Sequence, residues 1–205
     1  MSTMGTHADK IIDLYNRHAE AWVAARLREE FFHERGWFEK FYDLMGTKGS
    51  VLDLGCGAGA PLATHLVKQG YCVTGVDSSS VMIRLFRESL PDQEALVADM
   101  RRLALERRFA GILAWDSFFH LSHDDQRRMF AIFRTHAAPR AALMFTSGPV
   151  HGEVIGQLEA EPLYHASLGA EEYKQVLDGH GFALVATVPS DPRCGGRTVW
   201  LAERR

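Results

Sequence analysis

The chain has 205 residues, 46% hydrophobic and 24% charged, which is ordinary for a globular protein and long enough for one well-buried domain. A formal net charge of -3 leaves no general pull towards nucleic acid or anionic membrane, the opening MSTMGTHADK has no apolar core of signal-peptide length, and no apolar run is long enough to span a bilayer. Cys56, Cys72 and Cys194 are widely spaced without a CxxC pair, which argues against a disulfide framework or a zinc site and suits a reducing, cytoplasmic setting.

Met1 to His7 are small and polar and read as frayed. From Ala8 the pattern is helical, with Ile11, Ile12, Tyr15, Ala19, Trp22 and Val23 along one stripe. Trp37, Phe38, Phe41, Tyr42 and Met45 mark a second helix between Gly36 and Gly46. Both precede the first strand, so residues 1–46 are expected to form a helical cap over the sheet's ligand edge.

The stretch VLDLGCGAGAP, Val51 to Pro61, organises the rest. Val51, Leu52 and Leu54 suit a strand buried on both faces. Gly55, Gly57 and Gly59 then form a turn into a helix running to Gln69, closed by Gly70. Strand, glycine turn and helix make the nucleotide-binding half of a doubly wound fold. Gly55, Gly57 and Ala60 fit the loose dinucleotide pattern, but Asp53 would repel a pyrophosphate and instead suits a cationic ligand, such as an ammonium beside a sulfonium. The segment Leu52 to Gly59 resembles motif I of the class I S-adenosylmethionine methyltransferases. That resemblance implies a cofactor site at Asp53, Gly55, Cys56 and Gly57. The segment YNRHAEAWVAAR likewise resembles the opening of many small-molecule methyltransferases, implying that Tyr15, Trp22 and Arg26 close over the cofactor.

YCVTGVD, Tyr71 to Asp77, is the second strand, and its terminal acid is placed to accept from both ribose hydroxyls. Ser78 to Ser80 cap the next helix, which carries Val81, Met82, Leu85 and Phe86. A third strand, Ala95 to Ala98, ends at Asp99-Met100. The resemblance adds Ser78, Met82, Asp99 and Met100 to the cofactor site, with Met82 on the adenine face and Asp99 accepting from its amino group. Arg101, Arg102, Arg107 and Arg108 read as an exposed basic face.

Phe109 to Leu121 is the fourth strand, breaking into Asp116, Ser117 and His120 at the end where open α/β sheets carry their chemistry. It resembles the family's motif IV, which implies Trp115 and Asp116 beside the methionine portion, and Phe119 and His120 bordering the acceptor. Ser122 caps a helix with Met129, Phe130, Phe133 and Ala137 inward, ended with help from Pro139, and Ala141 to Thr146 is the fifth strand. Ser147 to Gly169 shows no periodicity and reads as a long functional loop, which in the family is a lid over the acceptor. It contains the candidate substrate residues Tyr164 and His165. A helix over Tyr173, Val176 and Leu177 follows, then strands Phe182 to Val188 and Thr198 to Ala202 joined as an antiparallel hairpin.

The fold expected is a single α/β domain over residues 1–205: a doubly wound, Rossmann-like, mostly parallel seven-stranded sheet with an antiparallel C-terminal hairpin. The expected activity is methyl transfer from S-adenosylmethionine to a small molecule, yielding S-adenosylhomocysteine, by a monomer or homodimer. His120 is the candidate base because of its position and useful pKa range. No metal is expected, since no acids and histidines have convincing ligand spacing. The alternatives are an NAD(P)-dependent oxidoreductase, disfavoured by Asp53 and the C-terminal hairpin, and a non-catalytic S-adenosylmethionine-binding protein.

Overall fold

A computed structural model describes residues 10–27, 33–46 and 48–205; the frayed stretch expected at Met1 to His7 lies outside them, as does Ala8. The described strands are β1 (Ser50–Leu54), β2 (Cys72–Asp77), β3 (Glu94–Val97), β4 (Phe109–Ala114), β5 (Ala137–Ser147), β6 (Gly152–Leu158), β7 (Glu161–Ser167), β8 (Phe182–Asp191) and β9 (Arg197–Arg204). The helices are α1 (Ile11–Leu27), α2 (Arg35–Met45), α3 (Leu62–Lys68), α4 (Ser80–Ser89), α5 (His123–His136) and α6 (Ala170–Gly179).

Seven strands form one sheet in the order β3-β2-β1-β4-β5-β9-β8. The first five are parallel, while β9 inserts antiparallel between β5 and β8. This is the expected mostly parallel sheet with an antiparallel C-terminal hairpin. Alternation along each strand sends side chains to two cores. Val51, Val73, Leu113 and Met144 pack with α2, α3 and α4 on one face. Leu52, Val76, Ile112 and Phe145 pack with α5 and α6 on the other, around Phe118, Phe130, Phe133 and Tyr173. Each of those aromatics is fully buried, worth about 1.5–3 kcal/mol of hydrophobic stabilisation apiece.

The order places a switch point at β1, whose neighbours β2 and β4 leave in opposite directions. Ligands of open α/β sheets bind at the carboxyl ends of strands beside such a point. Gly55, at φ 75°, makes the turn there: a Cβ on it would collide with Ser117, which enters from the end of β4 and donates to the Leu54 carbonyl at 2.6 Å.

Three expectations are corrected. First, of the two N-terminal helices only α1 lies over the ligand edge. Gly36 is inside α2 rather than before it, and α2 covers the sheet face instead, its Phe41 and Met45 filling the space that a Cβ on Gly111 of β4 would occupy. The stripe of Trp37, Phe38, Phe41 and Met45 is broad enough to be buried by a sheet, and Gly111 opens the groove for it.

Second, Ser147 to Gly169 is not structureless. β6 and β7 pair antiparallel in seven-residue register from Gly152↔Ser167 to Leu158↔Glu161. The turn residues Glu159 and Ala160 both have positive φ, 47° and 66°, the geometry of a two-residue hairpin turn usually signalled by Asn-Gly. Glu-Ala hides that signal. Val154 and Ile155 stay exposed at 66% and 52%, so no in-out alternation marks β6.

Third, α5 stops at His136, and Ala137 with Pro139 already belongs to β5. The register between β4 and β5 shifts between Phe109 and Gly111, and Arg140 has φ 63°. A bulge is where a strand tolerates proline.

Candidate active site

The carboxyl ends of β1, β2 and β4 and the helix α1 enclose an inner cleft. Its lining includes Asp53, Gly55, Cys56, Gly57, Asp77, Ser78, Met82, Asp99, Met100, Trp115, Asp116, Tyr15, Trp22 and Arg26. All fourteen residues expected at the cofactor site therefore line one cavity. Ile11, Ile12, Ser79, Arg101 and Ser117, which the sequence reading did not single out for the site, line it too.

Asp53 is buried, 3% exposed, and among the described residues no donor reaches its carboxylate. Burial, reinforced by the charge of Asp77, pushes its pKa up to about 7. A buried acid without a partner at the wall of a cavity is stabilised by a cation placed against it. Asp77 is better provided for. Its two oxygens accept from Gly57 N at 3.0 Å and Ser79 N at 2.8 Å. Burial still raises its pKa, against the opposing pull of those amides. Each oxygen keeps a further lone pair, enough for a diol.

Ser79, rather than Ser78, is the side-chain cap of α4. Its Oγ accepts from Met82 N at 3.1 Å and donates to Asn16 Oδ1 of α1 at 2.7 Å. Ser78 donates to the Ala98 carbonyl at 3.3 Å. Met82 packs with Ala19 and Ala58 under Tyr15 and Trp22 of α1. Cys56 turns its sulfur over Gly75 of β2, and burial raises its pKa, so it serves the site as backbone and bulk rather than as a thiolate. Asp99 caps a short helical turn through Arg101 N at 2.9 Å and pairs with the Arg101 guanidinium at 2.8 Å. Arg101 thus belongs to the cleft, contrary to its reading as exposed basic surface, whereas Arg102, Arg107 and Arg108 are exposed. The indole Nε1 of Trp115 is buried with no partner among the described residues.

A second cavity, the outer chamber, adjoins the cleft and shares Tyr15, Trp22, Arg26, Asp116 and His120 with it. Phe119 and His165 line the chamber, together with the loop from Ser147 to Val154 and the turn from Gly195 to Arg197. Tyr164 does not line it. Its ring packs against Ile11, its hydroxyl donates to Glu153 at 2.9 Å, and it serves the site through its backbone carbonyl. The rings of Tyr164 and His165 leave β7 on opposite faces, as strand neighbours do, and it is the His165 ring that meets the chamber.

His120 is buried at the shared boundary. Its Nδ1 lies 2.8 Å from the Tyr164 carbonyl, which can only accept, so Nδ1 carries the proton. Burial lowers its pKa to about 4, leaving Nε2 unprotonated at neutral pH and able to accept from the Tyr15 hydroxyl at 3.0 Å. Burial and the charges of Asp116 and Asp77 raise the pKa of Tyr15, which stays a phenol.

Asp116 has φ 47° and is held from two sides. Its amide donates to Thr146 Oγ1 at 2.9 Å, and Arg197 grips its carboxylate with Nε at 2.8 Å and Nη2 at 2.7 Å. The Arg197 Nη1 donates to the Cys194 carbonyl at 3.2 Å, in space that a Cβ on Gly195 would invade. Sequence reasoning missed Arg197. Its only signal was the Gly195-Gly196 pair before it, which read as an ordinary hairpin turn. Arg26 pairs with the buried Glu34 just ahead of α2. Among the described residues no group of acids, histidines and cysteines could hold a metal ion.

Residues 51–140 match the family described as methyltransferase domain. Over that segment, which is less than half of the chain, the sequence resembles a methyltransferase domain. Its sheet is the one found in solved methyltransferases. The 1,6-didemethyltoxoflavin-N1-methyltransferase of Burkholderia thailandensis, solved with S-adenosylhomocysteine, superposes with TM-score 0.73 at 18% identity, covering 100% of this chain and 92% of that one. The amino pentose methyltransferase CalS10 of Micromonospora echinaspora, solved with S-adenosylmethionine, gives TM-score 0.72 at 18% identity, covering 90% and 96%. In sequence, the chain is 25% identical over 138 residues to an uncharacterized methyltransferase of Alkaliphilus oremlandii, 64% of this chain. That match spans 63% of the relative's own length.

Proposed function

We propose that the chain transfers a methyl group from S-adenosylmethionine to a small molecule, with the inner cleft holding the cofactor and the outer chamber the acceptor. The observation that carries this is the partnerless buried carboxylate of Asp53 beside the amide-held carboxylate of Asp77. One suits an ammonium and the other a ribose diol, and both line a cleft that meets a second cavity. A nicotinamide dinucleotide would set its pyrophosphate against the same Asp53, which disfavours the oxidoreductase reading.

When bound, S-adenosylmethionine supplies a methyl on a sulfonium: the acceptor's lone pair takes the methyl carbon, and sulfur keeps the electrons of the broken bond. Asp53 would then hold the ammonium and Asp77 the ribose diol of the cofactor, Gly55 and Gly57 would give close backbone approach, and Asp99 and Trp115 would border the base and the methionine portion respectively. Trp22 and Tyr15 cover the cleft and exclude water, and the walls hold the two reactants in line. His120 meets the acceptor's proton through Tyr15: the phenol oxygen accepts it while passing its own proton to Nε2. A base this weak takes a proton only from an acceptor whose acidity has risen as the methyl arrives. Phe119 and His165 border the acceptor. Both cavities are lined within one chain, so a monomer suffices and a homodimer is compatible. Three free cysteines, one of them exposed, fit a reducing cytoplasm.

Calorimetric titration of S-adenosylmethionine, S-adenosylhomocysteine and NAD tests the reading. Binding of the first two alone supports it; binding of NAD alone overturns it. Turnover with a panel of metabolites then separates an enzyme from a binding protein.

A further inference from the structure

The walls of the outer chamber indicate the shape of its occupant, an inference that rests on reading the inner cleft as the cofactor site. Phe119, His120 and His165 form a triangle of rings, with centroids 4.9 Å apart for Phe119 and His120, 5.0 Å for Phe119 and His165, and 4.9 Å for His120 and His165. Tyr15 extends the series to the boundary, 5.6 Å from His120, and Trp22 carries it into the cleft, 6.1 Å from Tyr15. The rings come from three separate pieces of chain: α1, the turn after β4, and β7. Aromatic pairs at 4.5–7 Å favour one another beyond their burial, so these rings hold a common surface.

That surface is partly open. Phe119 and His165 are only half-buried, and both line the chamber. Gly156, paired with Leu163 across the hairpin, leaves room for the imidazole of His165: a Cβ there would stand 3.3 Å from Cε1. Burial lowers the pKa of His165, so it meets an occupant as a neutral ring. Elsewhere its lining includes Gly148, Gly152, Gly195 and Gly196, which project no side chain into it, the apolar Pro149, Val150 and Leu163, and His151, whose ring is stacked on His123. The charged side chains on its walls already have partners. Arg197 is on Asp116, Arg26 on Glu34, and Glu153 accepts from Tyr164. A chamber of about 750 Å³ built this way has contact faces for a flat ring system and few uncommitted polar groups for a sugar.

We propose that the acceptor is a planar aromatic or heteroaromatic compound that lies against the rings of Phe119 and His165, with its nucleophilic edge towards Tyr15 and Asp116. Contact with π faces distinguishes such a compound from a saturated one of equal size.

The test uses the whole chain, saturated with S-adenosylhomocysteine and titrated with 2-naphthol and with decahydro-2-naphthol. The two share skeleton and hydroxyl and differ in flatness and aromaticity. The expected result is at least tenfold tighter binding of 2-naphthol, cut to near parity in Phe119→Leu and His165→Leu, with affinity for S-adenosylhomocysteine unchanged. Phe119→Tyr, which keeps the ring, should retain the preference. Equal affinities in the native chain overturn the proposal, as does a preference that survives both leucine variants. A leucine variant that loses S-adenosylhomocysteine has lost its fold, and the native and Phe119→Tyr results then decide. If S-adenosylhomocysteine fails to bind the native chain, the cofactor reading falls, and the naphthol ratio measured on the chain alone still decides the shape of the occupant.

Discussion

The hydroxyl of Tyr15 donates to Nε2 of His120 at 3.0 Å, joining the first helix to the turn after β4 across 105 residues. The bond has a fixed sense, because the Tyr164 carbonyl claims the proton on Nδ1. His120 is thereby locked as one tautomer, with its basic nitrogen directed at a phenol on the wall between the two cavities.

The locked imidazole has consequences for pH. His120 titrates at about 4 in the folded chain against about 6.5 when unfolded. Between those values the unfolded chain binds the extra proton, so its contribution is fully present above pH 6.5 and is lost as pH falls towards 4. The whole window corresponds to about 3 kcal/mol. His120→Asn should flatten the fall in stability between pH 6.5 and 5, as read by urea unfolding. In the native chain, ¹⁵N shifts of the ring should show the Nδ1–H tautomer with no titration above pH 5. A midpoint near 6.5 would mean that the ring is solvated and the bond to Tyr15 absent.

Asp53 acts in the opposite sense. Its folded pKa of about 7 lies above the usual carboxylate value, so ionising it destabilises the chain as pH rises through the window from about 4 to 7. Asp53→Asn should therefore stabilise the ligand-free chain at pH 8 by a few kcal/mol, roughly the size of a three-unit shift. The same substitution should weaken S-adenosylmethionine at least tenfold. Binding to the native chain near pH 6.5 should release a proton, visible as a buffer-dependent enthalpy, and affinity should drop below pH 7. Proton-neutral binding would show that no cation meets this carboxylate.

The two loop glycines should differ. A Cβ on Gly55 collides with Ser117 at φ 75°, whereas one on Gly57 meets Trp22 at 3.6 Å, ordinary contact at φ 53°. Gly55→Ala should destabilise the fold by several kcal/mol, through overpacking and left-handed strain together. Gly57→Val brings left-handed strain of about 1–2 kcal/mol but no collision, so it should cost less than Gly55→Ala, and it should abolish cofactor binding by filling the space beneath Trp22. Thermal melts and calorimetry on both variants decide this. Native affinity in Gly57→Val would remove the loop from the site.

Arg197 and Asp116 should be strongly coupled. Both are about one-fifth exposed and joined by a two-pronged grip, so each alone leaves a half-buried charge behind. The costs of Arg197→Met and Asp116→Asn should sum to more than the cost of the double variant, by a coupling of about 1–2 kcal/mol in urea unfolding after discounting for solvent. Arg197→Lys should not rescue, since one ammonium cannot make both prongs. Additive effects would make the pair incidental.

The ends of strands were legible because their chemistry is local. An apolar run, an acid and a glycine turn within nine residues placed Asp53, and the acid about twenty residues later placed Asp77. Arg197 was not legible. It reaches Asp116, 81 residues away, only because β9 inserts beside β5, and no local pattern encodes an insertion. The hairpin Gly152–Ser167 was missed for a different reason: it packs against few neighbours, so β6 is exposed on both faces and leaves no alternation to read. Tyr164 and His165 stand side by side in the sequence, yet strand geometry sends one to the chamber and gives the other a backbone role. Helix α2 was read correctly as a helix and wrongly placed, because its stripe reports that it is buried but not against what.

The remaining prediction concerns the cover. A lid must let ligand in and water stay out, so some element over the cleft has to move. The stretch expected to be a loose loop is a hairpin with its own ladder, which changes what can move: the hairpin as a unit, not its backbone residue by residue. Its tip is tied to α1. Glu161 accepts from Arg17 at 2.6 Å and lies 2.6 Å from His18 Nε2, and hydrogen bonding to Arg17 and then His18 holds its pKa down at about 2. Both lids therefore share one exposed clasp, sensitive to salt. Glu161→Gln should speed hydrogen exchange in α1 and at the hairpin ends together, while the central amides of β6 and β7 keep their ladder protection. High salt should mimic the substitution in the native chain, and S-adenosylhomocysteine should restore protection in α1 first, through Trp22 over the glycine loop. If Glu161→Gln loosens the hairpin and leaves α1 unchanged, the two covers open independently and the clasp is only a surface contact.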